Sequence, residues 1–315
     1  MFRQYVQWLA HTQWANARTA ANREGIALFG DLPFMVDGDS ADVWVRQAQF
    51  LLDVSLGVPP DAFSDVGQDW GMPVYNWSAM AADDFGWLRE RARRSADLYD
   101  GYRVDHLVGF YRTYGRPRDG SAPFFTPSSE LDQIALGEHL LHIFGGAGAE
   151  IIAEDLGVVP QFVRESLARL GVPGFRVFRW ERYWHAHGQP FLDPANYPIV
   201  SVATSGTHDT ETMMEWWETA APSEREQVRA LKTVREIGAE VDRDCLLETL
   251  MASASQLVLF PVQDVFGWHN RINEPATVND ANWTFRLPWP SNRLTEFASE
   301  RQSALHGWAD RYGRI

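Results

Sequence analysis

Three short stretches constrain this chain more than anything else in it. Gly101-Tyr102-Arg103-Val104-Asp105-His106, Glu150-Ile151-Ile152-Ala153-Glu154-Asp155 and Ser201-Val202-Ala203-Thr204-Ser205-Gly206-Thr207-His208-Asp209 share one design, a β-type apolar run that stops abruptly at a carboxylate. Short runs of this kind read as buried strands. Arg103 and Asp105 are two residues apart, so on a strand they point to the same side. An Arg beside an Asp favours the ionised carboxylate, the form an attacking nucleophile needs. The pair taken alone reads equally well as a structural ion pair at a strand end. Three successive strands ending in carboxylates point instead to one site.

The rest of the chain alternates in the same way. A helix is expected over residues 2 to about 23, where Phe2, Val6, Ala10, Trp14, Ala17 and Ala21 recur at helical spacing until Glu24-Gly25 stops it. Strands are expected near 26–30, 101–105, 150–154, 174–178, 198–204 and 256–261. Helices are expected over 86–98, 131–144, 160–170, 222–237 and 293–307, with Asp39 or Ser40 capping a short helical turn. Three segments read as long loops: 57–77, 107–128 and 181–197. The first mixes three prolines and three glycines with flat aromatic and polar side chains, and a loop of that length in a compact domain is usually functional. Alternating strands and helices with polar residues at the strand C-termini describe a parallel α/β protein, and a (β/α)8 TIM-type barrel above all. Six strands are visible where eight close a barrel. The expectation is therefore an incomplete barrel within a single domain over 1–315.

Composition narrows the partners. With 28 Lys+Arg against 42 Asp+Glu, the formal net charge of -14 argues against nucleic acid and anionic membrane. The one cysteine, Cys245, excludes a disulfide framework and fits a reducing compartment. No apolar run is long enough to span a membrane, and polar residues interrupt the first eight positions where a signal peptide would need an apolar core. The 14 tryptophans can fill a core or stack on sugar rings. Trp216, Trp217 and Cys245 read as core, Arg89 to Arg94 as a solvated helix face, and His185 with His187 as no metal site.

These motifs resemble those of the 4-alpha-glucanotransferases of the amylomaltase or disproportionating-enzyme type, glycoside hydrolase family 77 of the alpha-amylase superfamily. Gly30-Asp31-Leu32-Pro33 looks like the family's third-strand segment, 57–77 like its loop over the glucan groove, and 107–128 and 181–197 are expected as further substrate-groove loops. Tyr102-Arg103-Val104-Asp105-His106, Ala153-Glu154-Asp155-Leu156-Gly157 and Thr207-His208-Asp209 match its nucleophile, acid/base and transition-state strands. The resemblance implies a cytoplasmic enzyme, free of cofactors, that transfers α-1,4-glucan segments to the 4-hydroxyl of an acceptor by a retaining double displacement. Its partners would be maltooligosaccharides and other α-1,4-glucans. It implies Asp105 as nucleophile, Glu154 as acid and then base, and Asp209 as transition-state stabiliser. Arg103 would orient Asp105, His208 and Asn273 would bind the sugar at the cleavage point, and Asp61, Gln68 and Trp70 would line the acceptor side. A retaining pair of carboxyls stands about 5–5.5 Å apart, one ionised and one protonated. The visible strands correspond to strands 3 to 8 of the family barrel, so the first two and their substrate loop are expected to lie outside these residues. Ala62 stands where some members carry a sugar-stacking aromatic. The alternatives are a glucan-binding fragment without turnover and an α-glucan hydrolase of the same superfamily.

Overall fold

The computed structural model describes every residue except 61–66, 239 and 276. The chain divides into two compact units, Met1–Gly174 and Phe175–Ile315. In the first unit the strands are β1 (Phe29–Leu32), β2 (Phe50–Val58), β3 (Gln68–Tyr75), β4 (Gly101–Val104), β5 (Thr113–Pro117), β6 (Phe124–Thr126) and β7 (Glu150–Ala153). β8 (Gly174–Val177) begins at its last residue. They form two kinds of sheet. β1, β4 and β7 run parallel, with Phe29 opposite Gly101 and Gly101 opposite Glu150, and Gly174 joins through Ala153. β3, β2, β5 and β6 form an antiparallel sheet in that order.

The expected strands all form, the first starting three residues later than its pattern indicated. The segments read as loops over 57–77 and 107–128 instead contain β3, β5, β6 and the end of β2. β2 carries register shifts between Leu51 and Ser55 and between Ser55 and Gly57, and Pro73, which has no N–H to give the ladder, lies at the first of them. Gly57 is required by close approach. A Cβ there would lie 2.1 Å from the Gln68 carbonyl oxygen and 2.8 Å from the Arg116 side chain.

The opening helix runs Phe2–Arg23, as its periodicity predicts, yet none of its residues is buried, and Phe2 is 78% exposed. It is held through Asp100. Arg18 donates to that carboxylate from Nε at 3.0 Å and Nη2 at 2.7 Å, while Asn22 and the Leu28 N–H donate as well. These bonds, the Leu28 N–H first among them, hold the Asp100 carboxyl down at about 2. Ser40 caps the helix Ala41–Val45 by accepting from the Val43 N–H. Arg91, in the helix Gly86–Leu98, departs from the solvated face expected of 89–94. Its guanidinium donates to the Pro33 and Phe34 carbonyls and the Tyr75 hydroxyl, bracing the segment just beyond β1. Tyr75, Tyr102, Tyr111 and Phe144 are among the largest side chains in this unit's core.

In the second unit β8 continues to Val177 and is followed by β9 (Ser201–Thr204) and β10 (Leu257–Leu259), in the order β8-β9-β10, with β9 and β10 parallel. Trp216, Trp217, Cys245, Leu246 and Leu250 form its core. The helix expected over 222–237 is two, Pro222–Ala230 and Lys232–Ile237, broken where Leu231 adopts extended backbone and buries its side chain.

Candidate active site

The parallel register of the first unit brings the C-termini of β1, β4 and β7 to one level, and with them Asp31, Arg103, Asp105 and Glu154. Arg103 sits between two carboxylates. Its Nη2 is 2.7 Å from Asp105 and 3.0 Å from Asp31, and its side chain is only 16% exposed. Burial opposes the charge on the guanidinium, but Asp105 and Asp31 outweigh it and hold Arg103 above its ordinary value. Asp31, on the neighbouring strand, is thus the second anchor of the arginine that faces Asp105.

The chain turns sharply after Asp105. His106 has φ +46°, in the left-handed region that a non-glycine residue rarely adopts. The turn aims its N–H at Glu154, whose Oε2 accepts it at 2.8 Å, and the next N–H, of Leu107, donates to the Glu154 carbonyl at 3.1 Å. The Glu154 carboxyl is therefore fixed against the backbone that immediately follows Asp105. Burial raises it to about 7, with Asp105 and Asp155 adding to the rise and Arg103 and the His106 N–H opposing it. Near neutrality this group divides between acid and base. Burial also lowers the His106 imidazole to about 4, so the ring is neutral. The Trp70 ring meets it edge-on, with centroids 4.8 Å apart, and the Trp70 N–H donates to Gln68 Oε1 at 3.0 Å.

Gln68, Trp70, His106 and Glu154 border one cavity of about 300 Å³, which Arg112, Tyr114, Phe125 and Val158 also line. The second group was not singled out from sequence. Arg112 immediately precedes β5, Tyr114 and Phe125 lie on β5 and β6 within the segment expected as a groove loop over 107–128, and Val158 lies in the turn after β7. Asp61 and Ala62 lie outside the described residues.

The second unit assembles the remaining predicted residues in the turn after β9. Asn273 Nδ2 donates to Asp209 Oδ1 at 2.6 Å, His208 Nε2 lies 3.2 Å from Asp209 Oδ2, and the Arg271 guanidinium donates to the Asp209 carbonyl at 2.7 Å. The Asn273 N–H donates to the His208 carbonyl, and Trp283 packs on the His208 ring at 5.1 Å. Buried Asp264 supports this turn from the segment beyond β10, accepting from the Ser205 hydroxyl and the Met213 N–H. Among the described residues no cluster of three or more His, Cys, Asp or Glu side chains could hold a metal ion.

Parallel strands tipped with carboxylates define an α/β protein of the TIM-type barrel class, incomplete in the residues present. The chain belongs to glycoside hydrolase family 77, the 4-alpha-glucanotransferases, whose family model matches residues 1–292. It is 33% identical to the 4-alpha-glucanotransferase of Chlamydia pneumoniae, over 91% of this chain and 56% of that protein. It is 34% identical to the chloroplastic/amyloplastic 4-alpha-glucanotransferase of Arabidopsis thaliana, over 98% of this chain and 54% of that protein. Among solved structures, amylomaltase from Streptococcus agalactiae in complex with acarbose superposes with a TM-score of 0.82 at 30% identity, covering 98% of this chain and 61% of that one. Amylomaltase from Corynebacterium glutamicum shares the fold, with a TM-score of 0.82 at 23% identity. The chain spans about half the length of the curated relatives it matches.

Proposed function

We propose that the chain carries out 4-alpha-glucanotransferase chemistry on α-1,4-glucans. The observation that carries this reading is the placement of Glu154. Its carboxyl is held at about 7 against the backbone next to Asp105, while Arg103 pairs Asp105 itself. The ionised Asp105 attacks the anomeric carbon of a donor glucan. The glycosidic C–O bond breaks, and Glu154 gives its proton to the departing 4-oxygen. The glucosyl group is left as an ester of Asp105. Glu154, now ionised, takes the proton of an acceptor's 4-hydroxyl, and that oxygen displaces Asp105 with net retention. Trp70, Gln68 and His106 border the cavity beside Glu154, where the acceptor would lie. Asp209 would stabilise the oxocarbenium-like transition state, with His208 and Asn273 binding sugar hydroxyls. These three roles rest on the motifs the residues match and on the hydrogen bonds that pre-organise them.

No helix among the described residues is long and apolar enough to cross a membrane. Together with the single buried cysteine, this supports a cytoplasmic setting. The fully unburied opening helix favours a second reading, a glucan-binding portion that does not turn over by itself. Incubation with maltotriose separates the two. The proposed activity gives a ladder of longer and shorter maltooligosaccharides that is absent from an Asp105→Asn control. Glucose release without longer products would indicate hydrolysis, and unchanged maltotriose would leave the binding role.

A further inference from the structure

Arg112 is a half-buried cation with no assigned task. It follows the short helix Val108–Tyr111, and its N–H closes that helix on the Val108 carbonyl. Its guanidinium lies 4.2 Å above the centre of the Phe125 ring. Among the described residues the side chain makes no hydrogen bond and no ion pair, and burial alone lowers its pKa. Such a group leaves several N–H donors aimed at solvent space without fixed acceptors.

The space it faces is two hollows rather than one. Arg112 and Val158 line the cavity of about 300 Å³ that Glu154 also lines, and both also line a second hollow of about 450 Å³. The second hollow holds Glu130, Gln161, Glu165 and the Phe162 ring. Its lining is that of a sugar site, with carboxylate and amide groups for hydroxyls and a flat apolar ring for a pyranose face. Glu130 and Glu165, which line the second hollow together with Arg112, disfavour an anionic ligand there and favour a neutral polyhydroxyl one.

Building on the transferase reading, we propose that Arg112, stacked on Phe125, is the sill between two stretches of acceptor groove. The second hollow at Glu130, Gln161, Phe162 and Glu165 then binds the distal sugars of a long α-1,4-glucan acceptor. The guanidinium fork donates to hydroxyls of the sugar crossing the sill. The first cavity holds the sugar that reacts, and the second rewards length. Arg112 is on this account a specificity residue that leaves the bond-making step untouched.

The test is calorimetric titration of the full chain with maltose and with maltohexaose. Unmodified protein should bind maltohexaose the more tightly. Arg112→Met should weaken maltohexaose by about fivefold to tenfold and maltose by less than about twofold. Gln161→Ala, an exposed change at a helix start that does not threaten folding, should act in the same direction. In transfer assays Arg112→Met should raise KM for the long acceptor with kcat retained. Equal losses for both sugars, or no loss for either variant, would overturn the proposal. An unmodified chain that redistributes maltotriose while both variants bind normally removes the length-reading site and leaves the transferase reading standing. A folded chain that binds neither sugar and makes no ladder overturns both.

Discussion

Glu154 is where position and protonation meet. The fold raises this carboxyl from an ordinary 4.5 to about 7 by burying it beside Asp105 and Asp155. A carboxyl whose folded value is raised contributes its stability in full below 4.5 and loses it as pH climbs through 7. Glu154→Gln removes the titration. The variant should therefore match the parent at pH about 4 and exceed it at pH about 8 by on the order of 3 kcal/mol, read by urea unfolding at both pH values. Transfer should depend on the same protonated form. The first displacement needs Glu154 protonated, so kcat/KM should fall as pH rises past about 7, and Glu154→Gln should abolish turnover at every pH. A variant no more stable than the parent at the higher pH would show that the buried carboxyl carries no such cost.

At the scale of elements, β2 and β3 depend on a position where their backbones crowd. Gly57→Ala places a methyl group against the Gln68 carbonyl and must push β3 away from β2. The expected cost is about 1–3 kcal/mol, seen as a Tm lowered by several degrees, with weaker binding of short maltooligosaccharides because Gln68 and Trp70 ride on β3. The same hairpin explains what was legible in the sequence. β4, β7 and β9 were readable because buried parallel strands are short apolar runs, with Asp105 and Glu154 immediately after the first two and Asp209 in the turn after the third. β3 was not, because Gly71 and Pro73 inside it carry turn chemistry, and only the bulged partner strand makes Pro73 acceptable. Thr113–Pro117 hid in the same way behind Gly115 and Pro117. Arg103, Asp105 and Glu154 were therefore found by pattern, whereas Arg112, Tyr114 and Phe125 were missed with the strands that present them. The break at Leu231 had no sequence signal, since neither Gly nor Pro marks it.

For the molecule as a whole, charge sets the response to salt. A formal net charge of -14 opposes compaction through self-repulsion, so Tm should rise as sodium chloride goes from about 10 mM to about 150 mM. A flat or falling Tm would mean that local ion pairs such as Arg103 with Asp31 and Asp105 dominate the electrostatics. The division of labour within the first unit has a different consequence. Asp105 and Glu154 follow parallel strands, while Gln68 and Tyr114 belong to antiparallel strands inserted between them in the chain, β2 and β3 after β1, and β5 and β6 after β4. On the proposed reading, the groups that make and break the bond and part of the acceptor-side lining are thus carried on separate pieces of polypeptide. The inserted hairpins can be exchanged, lengthened or recombined as cassettes without rewriting the strands that hold the reacting groups.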